Sequence, residues 1–216
     1  MVLRCALLVP ILLLLLGAAP YRNDLSGAKT GGVPDDMQAV SGAFTVAEFE
    51  GQNVLELPGE PLDTFGLLFG PGELVEATAT ARVWGATSGR RHPEFGIGLG
   101  DLGGYRLIVL PGQKKLELRR GDDKVADAPM RFEWKPKTWT TLRLRVVKAG
   151  EGKWRVEGKA WPHGQAEPTS GIVSADLNEE PPAGRASLWG IPFSGQPIRF
   201  DDLSVTPASE KTPATK

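Results

Sequence analysis

Tryptophan, arginine and glutamate side chains share one parity of several alternating segments of this sequence. The members are Arg82, Trp84, Arg143, Arg145, Glu157, Lys159, Trp161, Arg185 and Trp189. A sugar ring presents an apolar C–H face and a fringe of hydroxyl groups, so flat indole rings beside charged donors and acceptors suit it. The pattern predicts an outward face that binds a polysaccharide or oligosaccharide. The same residues also suit an ordinary sheet surface, with the charges in cross-strand pairs.

Two carboxylates on the polar parity, Glu117 and Glu157, are the candidates for a catalytic role. A pair taken from different strands can flank one bond if the fold brings both to the same face. The basic residues of the same parity are Arg119, Arg143, Arg145 and Lys159. Their presence favours cross-strand ion pairing as the role of both glutamates.

The chain contains only two histidines, His92 and His163, which limits the catalytic and metal sites that histidine could form. A Ser–His–Asp triad or a multi-histidine metal site therefore finds no support in the composition. His92 belongs to the segment 90–94 (Arg-Arg-His-Pro-Glu), which follows a predicted strand. Sandwich domains often bind ligands through such loops, although the same residues also suit a solvated turn.

The elements that must position these side chains are strands. Apolar and polar residues alternate over 75–84, 139–147 and 154–161, which predicts half-buried strands. Shorter strands are expected at 44–48, 53–57, 95–99, 105–110, 115–119, 186–189 and 198–205. The turn residues at 111–112 and 150–152 predict hairpins. Residues 41–207 are therefore expected to form one all-β domain of two stacked antiparallel sheets.

The N-terminus has the composition of an export signal. Arg4 precedes an apolar run at 7–16, and small residues follow at 17–19. We expect residues 1–19 to be removed and the domain to be periplasmic or extracellular. An uncleaved membrane anchor is the alternative, but the run is shorter than the roughly 20 apolar residues of a spanning helix.

The segments on either side of the domain are polar. Residues 20–40 are expected to be a flexible linker and residues 208–216 a disordered tail. The only cysteine is Cys5, inside the predicted signal, so the exported domain has no thiol for a disulfide, a zinc site or a nucleophile. The net charge is −1 for the whole chain, which argues against nucleic acid as a partner.

A series of short motifs carries a resemblance to a known superfamily. The motifs are Tyr-Arg-Leu at 105–107, Leu-Glu-Leu at 116–118, Trp139 ahead of Leu-Arg-Leu at 142–144, Gly-Lys-Ala-Trp at 158–161, Glu-Pro at 167–168, Gly-Arg at 184–185 and Phe-Asp-Asp-Leu at 200–203. In this order they resemble the concanavalin A-like lectin/glucanase superfamily. The nearest groups are laminin-G-like jelly rolls and exported bacterial domains related to 3-keto-disaccharide hydrolase domains. The resemblance implies a two-sheet jelly roll with one concave face.

What the resemblance implies for chemistry is more restricted. Retaining glucanases of this superfamily carry a Glu-x-Asp-x-(x)-Glu pattern on one strand, which this sequence lacks. Asp201 and Asp202 resemble the structural calcium position of some jelly rolls, although two aspartates supply only part of the six to eight oxygens that calcium needs. The alternation of 198–205 slips at these aspartates, which predicts a β-bulge.

Three functions remain open on these observations. The first is an exported, non-catalytic carbohydrate-recognition domain that uses the outward Trp/Arg face. The second is a glycoside-processing enzyme related to 3-keto-disaccharide hydrolases. The third is a structural or protein-interaction module of the envelope, because aromatic and arginine residues are also enriched at protein interfaces.

Overall fold

The chain folds into two antiparallel β-sheets packed face to face, as a computed structural model shows. The structure describes residues 19–171 and 173–208. The strands are β1 (Tyr21–Asn23), β2 (Gln38–Ser41), β3 (Thr45–Phe49), β4 (Gln52–Leu57), β5 (Phe65–Phe69), β6 (Ala77–Gly85), β7 (Glu94–Leu99), β8 (Tyr105–Leu110), β9 (Lys115–Arg120), β10 (Asp123–Pro129), β11 (Thr138–Gly150), β12 (Lys153–Pro162), β13 (Val173–Leu177), β14 (Ala186–Ile191) and β15 (Ile198–Pro207). The predicted all-β, two-sheet jelly roll is confirmed.

The strand order explains which side chains share a face. Sheet A has eight strands in the order β13-β12-β11-β6-β15-β4-β3, with β1 also paired to β15. Sheet B has seven strands in the order β10-β9-β8-β7-β14-β5-β2. The two predicted hairpins are confirmed, since β8 pairs with β9 and β11 pairs with β12. Two short 3₁₀ turns, Asp101–Gly103 and Pro111–Gln113, flank β8.

The core lies between the sheets and follows the alternation of the sequence. In β6 the residues Ala77, Ala79, Ala81 and Val83 are fully buried. In β11 the buried set is Thr140, Leu142, Leu144 and Val146, one residue apart from the polar set. The residues that alternate with these buried ones therefore point away from the core. We call the surface that they form the outer face of sheet A.

Sheet B is more buried than its alternation suggests. All residues of β5, β8 and β14 are buried, including those that point away from the core. The side chains on this outer face of sheet B cover one another. Because β5 (Phe-Gly-Leu-Leu-Phe) is buried on both faces, its sequence is a continuous apolar run without alternation. The alternation pattern therefore does not predict this strand.

The structure corrects the prediction of a flexible linker at residues 20–40. This segment contains β1 and β2, which are three and four residues long. Leu25 and Met37 between them are buried in the core, with 1% and 7% exposure. Isolated apolar residues in a polar stretch give no periodicity, so only the tertiary contacts reveal their role. Edge strands β10 and β13 were missed for a similar reason, because most of their residues are partly or fully exposed.

The predicted bulge in the last strand is confirmed. The pairing of β15 with β6 shifts register between Asp201 and Ser204, and Asp202 has a φ of 50°. The predicted signal segment, including Cys5, and the tail from residue 209 onward lie outside the described residues. Within the described part of the chain, no helix has the length and apolarity needed to cross a bilayer.

Candidate functional site

The predicted ligand-binding residues do not share one surface. Arg82, Trp84, Arg143, Arg145, Glu157, Lys159 and Trp161 lie on the outer face of sheet A. Trp189 lies in β14 of sheet B, on the opposite side of the molecule. The exposed fractions of Trp84, Trp161 and Trp189 are only 9%, 8% and 7%. The expectation of a single, open tryptophan face is therefore wrong.

The aromatic rings on sheet A pack against arginines of the same sheet. The guanidinium of Arg82 lies 4.5 Å from the centre of the Trp139 ring. Arg199 stacks 4.0 Å from Phe49 and 4.6 Å from Trp84. Phe49 and Trp84 meet edge to face with centroids 5.0 Å apart. These stacked contacts already cover much of the ring surface that a sugar would need.

The charged residues on sheet A are paired with one another. Glu167 reaches over the sheet and binds Arg143 at 2.5 Å and Lys159 at 2.9 Å. Arg145 lies 3.5 Å from Glu157, its cross-strand partner. The space above this group measures about 210 Å³. The ladder of ion pairs is the arrangement expected of a solvent-facing sheet surface.

The two aspartates at the bulge hold an arginine. Asp201 is 1% exposed and accepts a hydrogen bond from Arg82 at 2.6 Å, while Asp202 lies 2.9 Å from the Nε of Arg82. Asp201 also accepts the backbone N–H of Asp202 at 2.7 Å. Among the described residues no group of three or more His, Cys, Asp or Glu can hold a metal ion. These residues therefore do not fit a calcium site, because the guanidinium occupies the carboxylates.

Trp189 lies at the centre of the outer face of sheet B, over a floor of glycines. A methyl group added at Gly66 would lie 3.0 Å from the indole, so the ring rests directly on the backbone. The indole N–H donates to the Ser187 hydroxyl at 2.8 Å. Arg106 covers the other face of the ring at 3.5 Å, and its guanidinium donates to the Leu102 carbonyl at 3.0 Å. The Trp189 ring is therefore packed between the backbone of sheet B and the Arg106 side chain.

A row of charges crosses the outer face of sheet B beside Trp189. Glu117 is bound by Lys115 at 2.6 Å and by Arg119 at 2.5 Å. Burial alone would raise the pKa of Glu117, but the hydrogen bonds and charges of Lys115 and Arg119 outweigh it and hold that pKa below its ordinary value. Glu94 lies on the same face, and burial raises the pKa of its carboxyl. The pKa values of Glu94 and Glu117 are therefore shifted in opposite directions.

A pocket of about 370 Å³, which we call the rim pocket, lies at one end of sheet B. It is lined by Leu62, Arg90, Arg91, His92, Glu94, Gly112, Gln113 and Phe193. The strand ends that meet here are the start of β5, the start of β7, the end of β8 and the end of β14. Leu62 and Phe193 are 49% and 43% exposed, which leaves apolar surface available. Glu94 belongs both to the pocket and to the charged face of sheet B.

The two predicted catalytic carboxylates are separated by the whole sandwich. Glu117 lies on the outer face of sheet B, and Glu157 lies on the outer face of sheet A. They cannot flank one bond, so this candidate pair is excluded. Glu157 instead makes the cross-strand ion pair that the sequence favours, and Glu117 is paired with residues of its own strand. Glu117 shares its face with Glu94 instead. That partner was overlooked because it opens a strand that contains glycines and little alternation.

Arg185, the remaining member of the outward set, has a structural role. Its guanidinium donates to the backbone carbonyls of Asp36 at 2.6 Å and Gly70 at 3.2 Å. The side chain therefore joins the N-terminal segment to the loop after β5. Leu62 and Phe193 gave no signal in the sequence, since each is a single apolar residue in a loop. The segment 90–94, for which the sequence suggests either a ligand-binding loop or a solvated turn, lines the rim pocket.

Comparisons with known proteins agree with this architecture. No protein-family model matches the sequence, and no curated protein matches it. A sialidase superposes with a TM-score of 0.57 at 11% identity, over 88% of this chain and 19% of the sialidase. The apo Crh5 transglycosylase gives a TM-score of 0.56 at 12% identity, over 89% of this chain and 85% of that one. The Ca²⁺/Man-bound exoplasmic/lumenal domain of VIP36 gives 0.52 at 10% identity, over 82% and 84%.

The likeness shows the fold alone, a two-sheet antiparallel sandwich that this chain shares with these three structures. The chain spans about a fifth of the length of the sialidase and most of the length of the other two proteins. Identities of 10–12% carry no residue of those proteins' sites over to this chain. The function must therefore be argued from this chain's own side chains.

Proposed function

We propose that this chain is an exported carbohydrate-binding domain that holds its ligand in the rim pocket of sheet B. The observation that carries the proposal is the composition of that pocket. Exposed Leu62 and Phe193 provide apolar surface for the C–H face of a sugar, and Glu94, Gln113 and His92 provide donors and acceptors for hydroxyl groups. Lectin-type neighbours such as the mannose-bound VIP36 domain support the same class of ligand.

The rim pocket is favoured over the outer face of sheet A for a physical reason. On sheet A the rings of Trp84 and Trp139 already contact arginines, and Glu167 already neutralises two cations. A ligand would have to break these contacts before forming its own. In the rim pocket the apolar surface is free in the described structure, so binding carries no such cost.

The experiment is a binding survey with two matched variants. Residues 20–216 are purified and titrated against a panel of polysaccharides and oligosaccharides. Phe193→Ala removes an exposed ring, so we expect at least a tenfold loss of affinity with unchanged thermal stability. Arg145→Ala on the outer face of sheet A serves as the control and should bind like the parent chain.

Two outcomes would contradict the proposal. If Arg145→Ala or Trp161→Ala weakens binding and Phe193→Ala does not, the ligand binds on sheet A. If no glycan binds and a protein from the same envelope co-purifies, the chain is an interaction module. Export itself is tested by N-terminal sequencing of the protein recovered outside the cytoplasm, with a start at or near Pro20 as the expected result.

One observation favours enzymatic processing of a sugar as a second candidate. Glu94 and Glu117 share the outer face of sheet B, and their surroundings shift their pKa values in opposite directions. Carboxyl groups whose surroundings shift their pKa values in opposite directions are a feature of general acid–base catalysis. The candidate predicts turnover of a bound glycan that is lost in Glu94→Gln and in Glu117→Gln. Full activity in both variants would remove this pair.

A further inference from the structure

Two arginines of the rim pocket differ from most of the other arginines on the sheets. Arginines with an acidic partner within 4.0 Å are Arg82, Arg106, Arg119, Arg120, Arg143, Arg145, Arg155 and Arg199. Arg90 and Arg91 have no such partner among residues 19–171 and 173–208. Both are exposed. The charge of the whole chain is almost balanced, with 25 basic and 26 acidic residues. The two adjacent arginines therefore give this pocket a local excess of positive charge.

The loop that carries these arginines has a defined backbone. Ser88 and Arg91 form a β-bridge with reciprocal N–H to carbonyl bonds of 3.1 Å. Gly89 between them has a φ of +60°, which permits the tight turn. The His92 ring lies 3.0 Å from the Arg90 carbonyl through Nδ1. The backbone of the turn is therefore fixed before binding, and only the two arginine side chains remain to be ordered by a ligand.

The acidic groups nearby do not cancel this charge. Glu94 lines the pocket beside the arginines, yet among the described residues its carboxylate lies within 4.0 Å of no basic nitrogen. Glu117 on the adjoining face is already held between Lys115 and Arg119. The end of sheet B is thus left with two unmatched cations beside apolar surface.

We propose that the rim pocket selects an anionic saccharide, one that bears carboxylate or sulfate groups, and that Arg90 and Arg91 bind those groups. This inference rests on the proposed function and deepens it. Guanidinium groups match carboxylate and sulfate oxygens with paired N–H donors, and Phe193 then contacts the C–H face of the same sugar unit. A neutral glycan would leave the arginines solvated and gain nothing from them.

The test compares ligands that differ only in charge. The purified chain is titrated with an oligogalacturonate and its fully methyl-esterified form, and with a sulfated oligosaccharide and its desulfated form. We expect at least one acidic ligand to bind tenfold or more tightly than its neutral counterpart, and added salt to weaken that binding. The two acidic ligands also show which anion the pocket prefers.

Variants locate the effect. Arg90→Ala and Arg91→Ala should each weaken binding of the acidic ligand about tenfold, the equivalent of about 1.4 kcal/mol. Arg145→Ala removes an exposed arginine on the other side of the sandwich and should change nothing. Arg90→Lys and Arg91→Lys keep the charge and should restore part of the affinity.

The failure of this inference differs from the failure of the proposed function. If neutral and acidic ligands bind equally and Phe193→Ala abolishes both, the pocket binds glycans without charge selection and the inference is overturned. If acidic ligands bind but Arg90→Ala and Arg91→Ala have no effect, the inference is overturned as well. If none of the four ligands nor any member of the glycan panel binds, the proposed function falls and the inference with it.

Discussion

Replacing Trp189 by alanine distinguishes a structural ring from a ligand-binding ring. One side of the indole rests on Gly66 of the neighbouring strand, and Arg106 covers the other side at 3.5 Å. The indole N–H is bonded to Ser187 at 2.8 Å, and only 7% of the residue is exposed. Because both faces are occupied, we expect Trp189→Ala to reduce stability, and to affect ligand binding only through that loss.

The size of the effect follows from these contacts. Truncation of a buried Trp or Phe to Ala costs about 3–5 kcal/mol, and the lower end applies here because sheet B has no second layer over Trp189. The lost hydrogen bond to Ser187 adds about 1 kcal/mol, and the exposed Arg106 regains hydration that offsets its lost stacking. We therefore expect a decrease of about 3–4 kcal/mol in the free energy of unfolding, a large part of the stability of an ordinary domain.

Chemical denaturation followed by circular dichroism measures this change, and fluorescence remains usable because five of the six tryptophans are retained. Trp189→Phe is the matched variant, since it keeps a ring on the glycine floor and should lose only about 1–2 kcal/mol. A decrease below about 1 kcal/mol for Trp189→Ala, combined with a loss of glycan affinity, would contradict a structural role for the ring and return Trp189 to the ligand-binding set.

Three further changes test other parts of the structure. Asp201→Ala should destabilise the chain by about 2–3 kcal/mol in chemical denaturation, because Arg82 loses a buried counterion; a change under about 0.5 kcal/mol would contradict the pair. Gly98→Ala places a methyl group 2.3 Å from the Ser187 hydroxyl, so thermal unfolding should show a loss of about 1–3 kcal/mol, and an unchanged midpoint would count against this packing. Because ion pairs hold the pKa of Glu117 low, its stabilisation is present above the ordinary pKa of 4.5 and lost as pH falls below it. The stability difference between the parent chain and Glu117→Gln should therefore shrink in acid, and a difference independent of pH would be the opposite result.

The outer faces of the two sheets differ in how their side chains are paired and covered. On sheet A, most of the outward arginines are ion-paired with carboxylates or stacked on aromatic rings across β15, β6, β11 and β12. On sheet B, the covered centre around Trp189 leads to a rim pocket with free apolar and cationic groups. The predicted ligand-binding residues are thus divided between the two sheets, and we propose the rim pocket in place of a single Trp/Arg face.

Local patterns in the sequence determined the fold class and most of the strands. Alternation with a period of two identified β6, β11 and β12, because each has one face in the core and one in solvent. The same logic located the bulge at Asp201 and Asp202, where the parity changes. These features depend on residues that are close together in the sequence, so the local sequence is sufficient to predict them.

Only the tertiary structure decided which outward side chains meet. Glu117 and Glu157 have the same parity but belong to different sheets, whereas Leu62, Glu94 and Phe193 come from distant segments and line one pocket. The alternation of a strand indicates which of its residues point away from the core. It does not indicate which of the two sheets the strand joins. That choice is made by long-range pairing and by burial of the apolar faces, which depend on the whole chain at once.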